Sequence, residues 1–409
     1  MSLENCTQVV INFLFSPEGE SALQSLYVQN LDPKSNLSLL TKLRRTYTAD
    51  QSSAILSLAR LRQRAHTKFP HAETLFFTQE SLEQATAWPL ALHRAQRIHE
   101  LAPPGPLLDL GCGIGGDTLA LAQFRPVIAY ERNPVRRRFA QSNVTQMGLS
   151  SQVTFVEDDW VAQMQAGKLP HCAAAYVDPA RRIDGRRVFS LHQMQPPLSA
   201  LLTLQTQVPL VVVKTMPGVD DSELLLDCGV EFVSYGNSCR EAVLWMPGIG
   251  TPLRWASVLD DDGTWHEIVA TPETPPLGVL EEGCILYEPD PAVIRSGAFP
   301  ALCQQLDAHL FDPQIAYLIS NTYTETPFAQ GFQIEEIHPY KLKLLNRRLQ
   351  ALSIGQVELK KRGFPLAPEE LRPRLRLSQP DKHKGNTRTA TIFFTRQGDK
   401  RLMLIGHRL

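Results

Sequence analysis

The chain has 409 residues, 43% of them hydrophobic and 20% charged, with a formal net charge of −1. That length allows two or three domains with sizeable cores, and the composition is ordinary for a soluble globular protein. No apolar run reaches the roughly 20 residues of a membrane span, and the opening Met1-Ser-Leu-Glu-Asn-Cys6 lacks the basic and apolar regions of a signal peptide. A cytoplasmic protein with no membrane attachment is therefore expected. The cysteines at 6, 112, 172, 228, 239, 284 and 303 are scattered with no CxxC pair, which argues against a zinc site and a disulfide framework; no metal is expected.

Residues 1 to about 100 read mostly as helix, with 1–84 as a helical region of its own. Ser21-Ala-Leu-Gln-Ser-Leu-Tyr27 and Ser52–Arg62 carry apolar residues three and four apart. Asp32-Pro33 marks a break, and Pro33 suits the first turn of the next helix. Arg60, Arg62, Arg64 and Lys68 form a small basic cluster; an exposed helix face accounts for it, with RNA contact as the alternative. Thr78, in Phe76-Phe77-Thr78-Gln79-Glu80-Ser81, is placed to cap a helix.

The chain is organised around Pro106-Leu-Leu-Asp-Leu-Gly-Cys-Gly-Ile-Gly-Gly-Asp117. The apolar residues before Asp109 suit a buried parallel strand. The glycines suit a turn that needs positive φ or a close backbone approach to a ligand. Thr118-Leu-Ala-Leu-Ala-Gln123 follows as a helix, with Asp117 near its N-terminus. Three readings compete. A plain strand-to-helix turn needs fewer than the four glycines found between 111 and 116. A dinucleotide site is suggested by Gly111, Gly113 and Gly116, which satisfy G-x-G-x-x-G; such a turn offers N–H groups to a pyrophosphate, and Asp109 would repel it. The third reading is a site for S-adenosylmethionine, which carries a sulfonium and an ammonium but no phosphate, so carboxylates are welcome around it. Val127-Ile-Ala-Tyr-Glu131 ends in an acid able to take both ribose hydroxyls. Val153-Thr-Phe-Val-Glu157 runs into Asp158-Asp159-Trp160, where an acid can accept the adenine amine and an aromatic can cover the ring. Three strand ends that each deliver an acid decide for the third reading.

On these residues the stretch from about Ala85 to Trp245 resembles the class I S-adenosylmethionine-dependent methyltransferases. The resemblance implies a Rossmann-like, seven-stranded α/β sheet over residues 85–250, with ligands at the carboxyl ends of its strands. It implies Asp109, Gly111 and Gly113 at the methionine end, Glu131 at the ribose and Asp159 at the adenine, with Asp117 and Asp158 in the same cofactor set. The Phe76–Thr86 segment looks like the Thr-x-Glu segment ahead of the cofactor domain in trimethylguanosine-synthase-like methyltransferases. That likeness implies Thr78, Gln84 and Thr86 closing over the methionine moiety; a plain helix cap is the other reading. The remaining elements fit an alternating pattern: a helix over Pro134–Met147 stopped by Gly148, a fourth strand over Cys172–Asp178, and a fifth over Pro209–Lys214. Glu231–Tyr235 and Glu241–Trp245 read as a closing antiparallel pair.

The fourth strand ends in Val177-Asp178-Pro179-Ala180-Arg181-Arg182. This looks like the Asp-Pro-Pro-aromatic motif of amino-methyltransferases, which implies Asp178 and the Pro179 carbonyl as catalytic groups that align a target amine. Ala180 replaces the second proline and Arg181 the aromatic that would stack on a base. An arginine can stack by its guanidinium plane or hold a phosphate. Asp-Pro-Ala-Arg also resembles the strand end of enzymes that methylate uracil carbon 5, but those need a cysteine nucleophile, and Cys239 lacks the Cys-Asn-Pro context. Arg181, Arg182, Arg186 and Arg187 fit a phosphate clamp or a solvated loop, and Lys214, at the end of the fifth strand, also belongs to the expected substrate-binding set.

A boundary falls near Met246–Pro252, and residues 251–409 read as a compact α+β domain. Leu253–Leu259 and Thr264–Ala270 flank the hairpin turn Asp260-Asp-Asp-Gly263. Phe332–Ile337, Lys341–Leu352, Ile354–Lys361, Pro368–Leu375 and Thr389–Thr395 alternate strand and helix. Tyr287-Glu-Pro-Asp-Pro-Ala-Val-Ile-Arg295 and Glu358-Leu-Lys-Lys-Arg-Gly363 resemble the THUMP-like domain of bacterial S-adenosylmethionine-dependent methyltransferases, which implies binding of structured RNA, often tRNA. From residue 331 to the end there are 17 Lys and Arg against 7 Asp and Glu, while the rest of the chain has 24 against 35. A basic segment on an acidic body suggests a polyanion partner. The expectation is an RNA methyltransferase acting on a base nitrogen, tRNA first among substrates. A methyltransferase for a small molecule or protein, and a non-catalytic RNA-binding protein on the same fold, are the alternatives.

Overall fold

The computed structural model describes every residue except 1–2, 4–5, 28, 30, 33–35, 180–181, 184–185, 188–189, 225–226, 249 and 379–386; for 182, 183, 186 and 187 only the backbone is described. Pro33, Ala180 and Arg181 thus lie outside the described residues. The chain divides into two compact units, Met1–Cys228 with Leu244–Gly250, and Gly229–Val243 with Thr251–Leu409. No helix among the described residues is long and apolar enough to cross a membrane.

The first unit opens with helices α1 (Gln8–Leu14), α2 (Pro17–Tyr27), α3 (Asn36–Leu43), α4 (Ala49–Ala65), α5 (Gln79–Gln84) and α6 (Trp88–Leu101). Local chemistry starts them: Thr48 and Gln51 form a capping box on α4, and Thr78 and Ser81 form one on α5. In the basic cluster of α4, Arg64 is exposed as expected, but Arg62 is turned inward. Arg62 is 4% exposed; it donates to the carbonyls of Leu75 and Thr74, pairs with Glu20 and covers the Phe76 ring. Periodicity alone cannot show that the next segment supplies carbonyls to an inward-turned arginine.

The sheet of this unit is built from β1 (Leu107–Leu110), α7 (Gly116–Leu121), β2 (Val127–Tyr130), α8 (Pro134–Gln146), β3 (Val153–Val156), α9 (Trp160–Gln165), β4 (Ala174–Val177), the short pair β5 (Arg182–Ile183) and β6 (Arg186–Arg187), α10 (Leu198–Gln205) and β7 (Val211–Thr215). The order β7-β4-β1-β2-β3 is parallel throughout. The chain therefore reverses direction across the sheet between β1 and β4, where open α/β sheets bind ligands.

One buried side chain ties the helical region to this sheet. Asn143 of α8 accepts from Phe76 N at 2.7 Å and donates to the carbonyls of Phe76 (3.0 Å) and Ile114 (2.9 Å). Asn143→Leu keeps the volume but strands three backbone groups in an apolar interior. The expected result is a loss of about 3 kcal/mol, read as a lower urea midpoint at unchanged slope.

In the second unit, β8 (Gly229–Tyr235) turns into β9 (Cys239–Met246, divided between the units after Val243) through Gly236 and Asn237, whose φ values of 61° and 56° suit a two-residue hairpin turn. β10 (Arg254–Leu259) runs parallel to β8, and β11 (Trp265–Val269) returns antiparallel across the Asp260–Gly263 turn. β12 (Ile285–Pro289), α11 (Pro291–Ser296), α12 (Phe299–Leu306), β13 (His309–Leu310), β14 (Leu318–Ser320), β15 (Ala329–Pro339), α13 (Leu342–Ala351), β16 (Ile354–Lys361), α14 (Pro368–Leu371), β17 (Arg388–Gln397) and β18 (Lys400–Arg408) follow. Their sheet has the order β13-β14-β12-β15-β18-β17-β16. The two THUMP-like motif stretches meet in it: Glu288 on β12 pairs with Lys360 of β16 and with Arg362, and Asp290 caps α11.

Candidate functional site

A cavity of about 660 Å³ opens at the carboxyl ends of β1, β2 and β4, a volume that suits a ligand of drug size. Its floor is the turn between β1 and α7. Gly111 and Gly113 have φ of 93° and 59°, a region closed to most side chains. A Cβ built on either meets no protein atom within 4 Å, so the space above them belongs to the cavity. Gly115 and Gly116 serve packing instead, against Ala140 and Phe69.

Asp109 is 2% exposed and accepts the Thr118 hydroxyl. Burial pushes its carboxyl up to about 8, against an ordinary 3.8. Asp117 pairs with Arg94, whose guanidinium lies 4.7 Å above the Tyr176 ring. Burial also keeps the Cys112 thiol protonated. At the end of β2, Glu131 accepts the N–H of Gly113 at 2.9 Å and of Asn133 at 2.7 Å; each oxygen keeps a lone pair for a ligand hydroxyl. At the end of β3, Asp158 accepts the Asp159 N–H and the Gln163 amide. Asp159 caps α9 through Val161 N and pairs with Arg132 at 2.9 Å. Trp160 is buried but reaches the cavity wall.

The segment over the cavity starts at α5. Thr78 is fully buried and bonded to Ser81 in the helix cap, outside the cavity wall. The residues of this segment that do line the cavity include Ser81, Gln84 and Thr86. The Thr86 hydroxyl is buried there with no hydrogen-bond partner among the described residues, which leaves a donor and an acceptor unused. Lys68 holds the segment from below, donating to the carbonyls of Leu82 (2.8 Å), Glu83 (3.2 Å) and Ala85 (3.0 Å). This cation at a helix C-terminus corrects the expectation of an exposed basic face.

At the end of β4, Asp178 and Pro179 line the cavity. Lys214 Nζ donates to Asp178 Oδ2 at 2.6 Å. Lys214 itself is 4% exposed and sits behind Asp178, outside the cavity wall. Arg181 lies outside the described residues, and Arg182, Arg186 and Arg187 are described only as backbone. Cys239 is held protonated by burial, its thiol pushed up to about 12, so it offers no thiolate for attack on a base. Sequence reasoning missed Arg94, Tyr176 and Gln195–Pro197 of the cavity neighbourhood. A lone tyrosine after three alanines at 173–175 was a usable signal for Tyr176; nothing local marks the others.

The residues present fit a cation rich in hydroxyls: buried acid, acid-lined strand ends, open glycine backbone and an orphaned hydroxyl. Comparison with known proteins agrees. Residues 105–202 match the family described as RNA cap guanine-N2 methyltransferase, residues 329–408 the family described as THUMP domain-like, and residues 8–65 one described only as a domain of unknown function. Trimethylguanosine synthase of Schizosaccharomyces pombe is 25% identical over 130 residues, 30% of this chain and 54% of that protein. The crystal structure of a Porphyromonas gingivalis protein assigned as a methyltransferase shares the fold over 96% of this chain and 99% of its own, with a TM-score of 0.73 at 20% identity. An uncharacterised S-adenosylmethionine-dependent methyltransferase of Mycobacterium tuberculosis is 34% identical over 307 residues, 74% of this chain and 81% of that relative. Identity of that extent makes the chain a member of the S-adenosylmethionine-dependent methyltransferases, with S-adenosylmethionine as its cofactor.

Proposed function

We propose that the enzyme methylates a base nitrogen of structured RNA in the cytoplasm, with tRNA as the first substrate to test. The observation that carries this reading is Asp178 at the cavity mouth, with Oδ2 held by Lys214 and Oδ1 without a partner among the described residues. A free carboxylate oxygen beside Pro179 suits an amine: it accepts one N–H and leaves the lone pair aimed into the cavity. Bound S-adenosylmethionine supplies an electrophilic methyl group on a sulfonium. Asp109, with the open backbone at Gly111 and Gly113, faces its methionine end; Asp117, neutralised by Arg94, shapes that wall. Glu131 takes the ribose hydroxyls, Asp158 and Asp159 flank the adenine, and Thr86 supplies the orphaned hydroxyl.

Three further observations support RNA. The excess of 17 basic over 7 acidic residues from 331 onward coincides with the THUMP domain-like match. The catalytic region matches a family described by an RNA substrate. Arg182, Arg186 and Arg187 follow Asp178 closely in sequence. In this reading residues 1–84 form a helical region, 85–250 the catalytic domain and 251–409 an RNA-binding domain.

The test is mass spectrometry of nucleosides from a strain that lacks the gene. One methylated nucleoside is expected to vanish and to return with the wild-type gene but not with Asp178→Ala. An unchanged nucleoside profile in every RNA fraction overturns the RNA reading.

The segment over the cavity gives a second expectation. Lys68→Met removes the cation that gathers three carbonyls, so residues 81–86 loosen. S-adenosylmethionine binding, measured by calorimetry, is expected to weaken roughly tenfold, in line with the ~1.4 kcal/mol such a charged hydrogen-bond set contributes.

A further inference from the structure

We infer that Lys214 is a positioning residue: from behind the cavity wall it fixes the Asp178 carboxylate so that Oδ1 alone faces the substrate nitrogen. The inference rests on the reading of Asp178 as the amine anchor and assigns Lys214 a part in it other than touching substrate.

The sheet register produces the pair. Val177 of β4 lies opposite Val213 of β7, so the next residues, Asp178 and Lys214, leave adjacent strands at the same level. The lysine follows three buried valines and has 4% of its side chain exposed, while Asp178 has 29%. An ammonium so buried is stable only with a partner held at good geometry, and the 2.6 Å contact to Oδ2 supplies one. The dependence runs both ways. Without the ammonium, a carboxylate with this exposure is free to turn its oxygens to water. With it, Oδ2 is taken and the carboxylate plane is set, so the remaining acceptor points one way.

That orientation matters because the transfer is an in-line displacement. The nitrogen lone pair forms the new N–C bond as the C–S bond breaks, the sulfur leaves as a neutral thioether, and the extra proton on nitrogen departs to water. Asp178 contributes by holding an N–H, and a misdirected acceptor turns the lone pair off line. Misplacement on the order of 1 Å lowers rates by about 100-fold.

The test compares Lys214→Met and Lys214→Arg with wild type in methyl transfer to RNA from the strain lacking the gene, together with a crystal structure of Lys214→Met. Lys214→Met is expected to lower kcat roughly 100-fold at unchanged KM for RNA and unchanged S-adenosylmethionine affinity. Lys214→Arg, which can still donate to Oδ2, is expected to recover most of the rate. In the Lys214→Met crystal structure the Asp178 carboxylate should be turned away from its present orientation. An unaltered kcat, a rise in KM alone, or Asp178 unmoved in that structure overturns the inference. If Lys214→Met does not fold, Lys214→Gln takes its place, with partial retention of rate expected and rate equal to wild type in Lys214→Ala counting against. If wild type transfers no methyl group to any RNA, the substrate reading fails, and the Asp178 orientation still decides the role of Lys214.

Discussion

Asp109→Asn is expected to bind S-adenosylmethionine roughly 100-fold more weakly than wild type and yet to resist urea better at pH 8. Both effects come from one buried carboxyl. It lines the cavity just ahead of the open glycine backbone in sequence, and losing a charged partner for a bound cation removes about 3 kcal/mol. The stability gain follows from linkage. In the folded enzyme burial raises this carboxyl to about 8, against 3.8 ordinarily. Between those values the folded state keeps a proton that the unfolded chain has released, so stability falls as pH rises from about 4 to about 8. An asparagine at 109 still accepts the Thr118 hydroxyl and carries no such penalty, so its stability curve is flatter across that window. The same carboxyl predicts proton release: near pH 6.5, calorimetry in buffers of different ionisation enthalpy should show about one proton expelled as the cation binds, and little above pH 9. Equal affinity in Asp109→Asn and wild type would remove Asp109 from the cofactor site.

Asp178→Ala is expected to lower methyl transfer to RNA by roughly 1,000-fold while S-adenosylmethionine affinity stays within about threefold. The contrast with Asp109 is the point: one acid serves the cofactor, the other the acceptor. Removing Asp178 also leaves the Lys214 ammonium buried without its partner, so the variant should melt several degrees lower. Rates are therefore to be compared at a temperature where circular dichroism shows the variant folded. Transfer that survives Asp178→Ala would move the amine anchor elsewhere in the cavity.

Much of the catalytic half was legible because its signals are local. A strand, a glycine turn and a helix start lie within Pro106–Gln123, and the acids at Glu131, Asp158 and Asp178 each stand at the end of a short apolar run. The hairpin turn at Asp260–Gly263 is equally local. What escaped depends on distant partners. Lys68 and Arg62 read as surface charges because the carbonyls they bind lie 12 to 17 residues away. Thr78 shares its spacing with both a cap and a ligand contact, and only the position of its hydroxyl separates them. The strand β18 has the continuous apolar run Leu402–Ile405 and lies between β15 and β17; a strand covered on both faces shows no alternation to mark it. The parallel pairing of β10 with β8 needs a crossover that no short window contains.

The apolar interior beneath the glycine turn has a consequence for how this enzyme can be divided. Ile114 and Phe139 belong to the same buried cluster as Ile11, Leu58, Phe76 and Leu82, so the helices of residues 8–65 and the cofactor fold share one hydrophobic interior. A fragment trimmed to begin at Ala85 would bare one side of that interior to water, and would be expected to aggregate long before its cofactor pocket could be assayed.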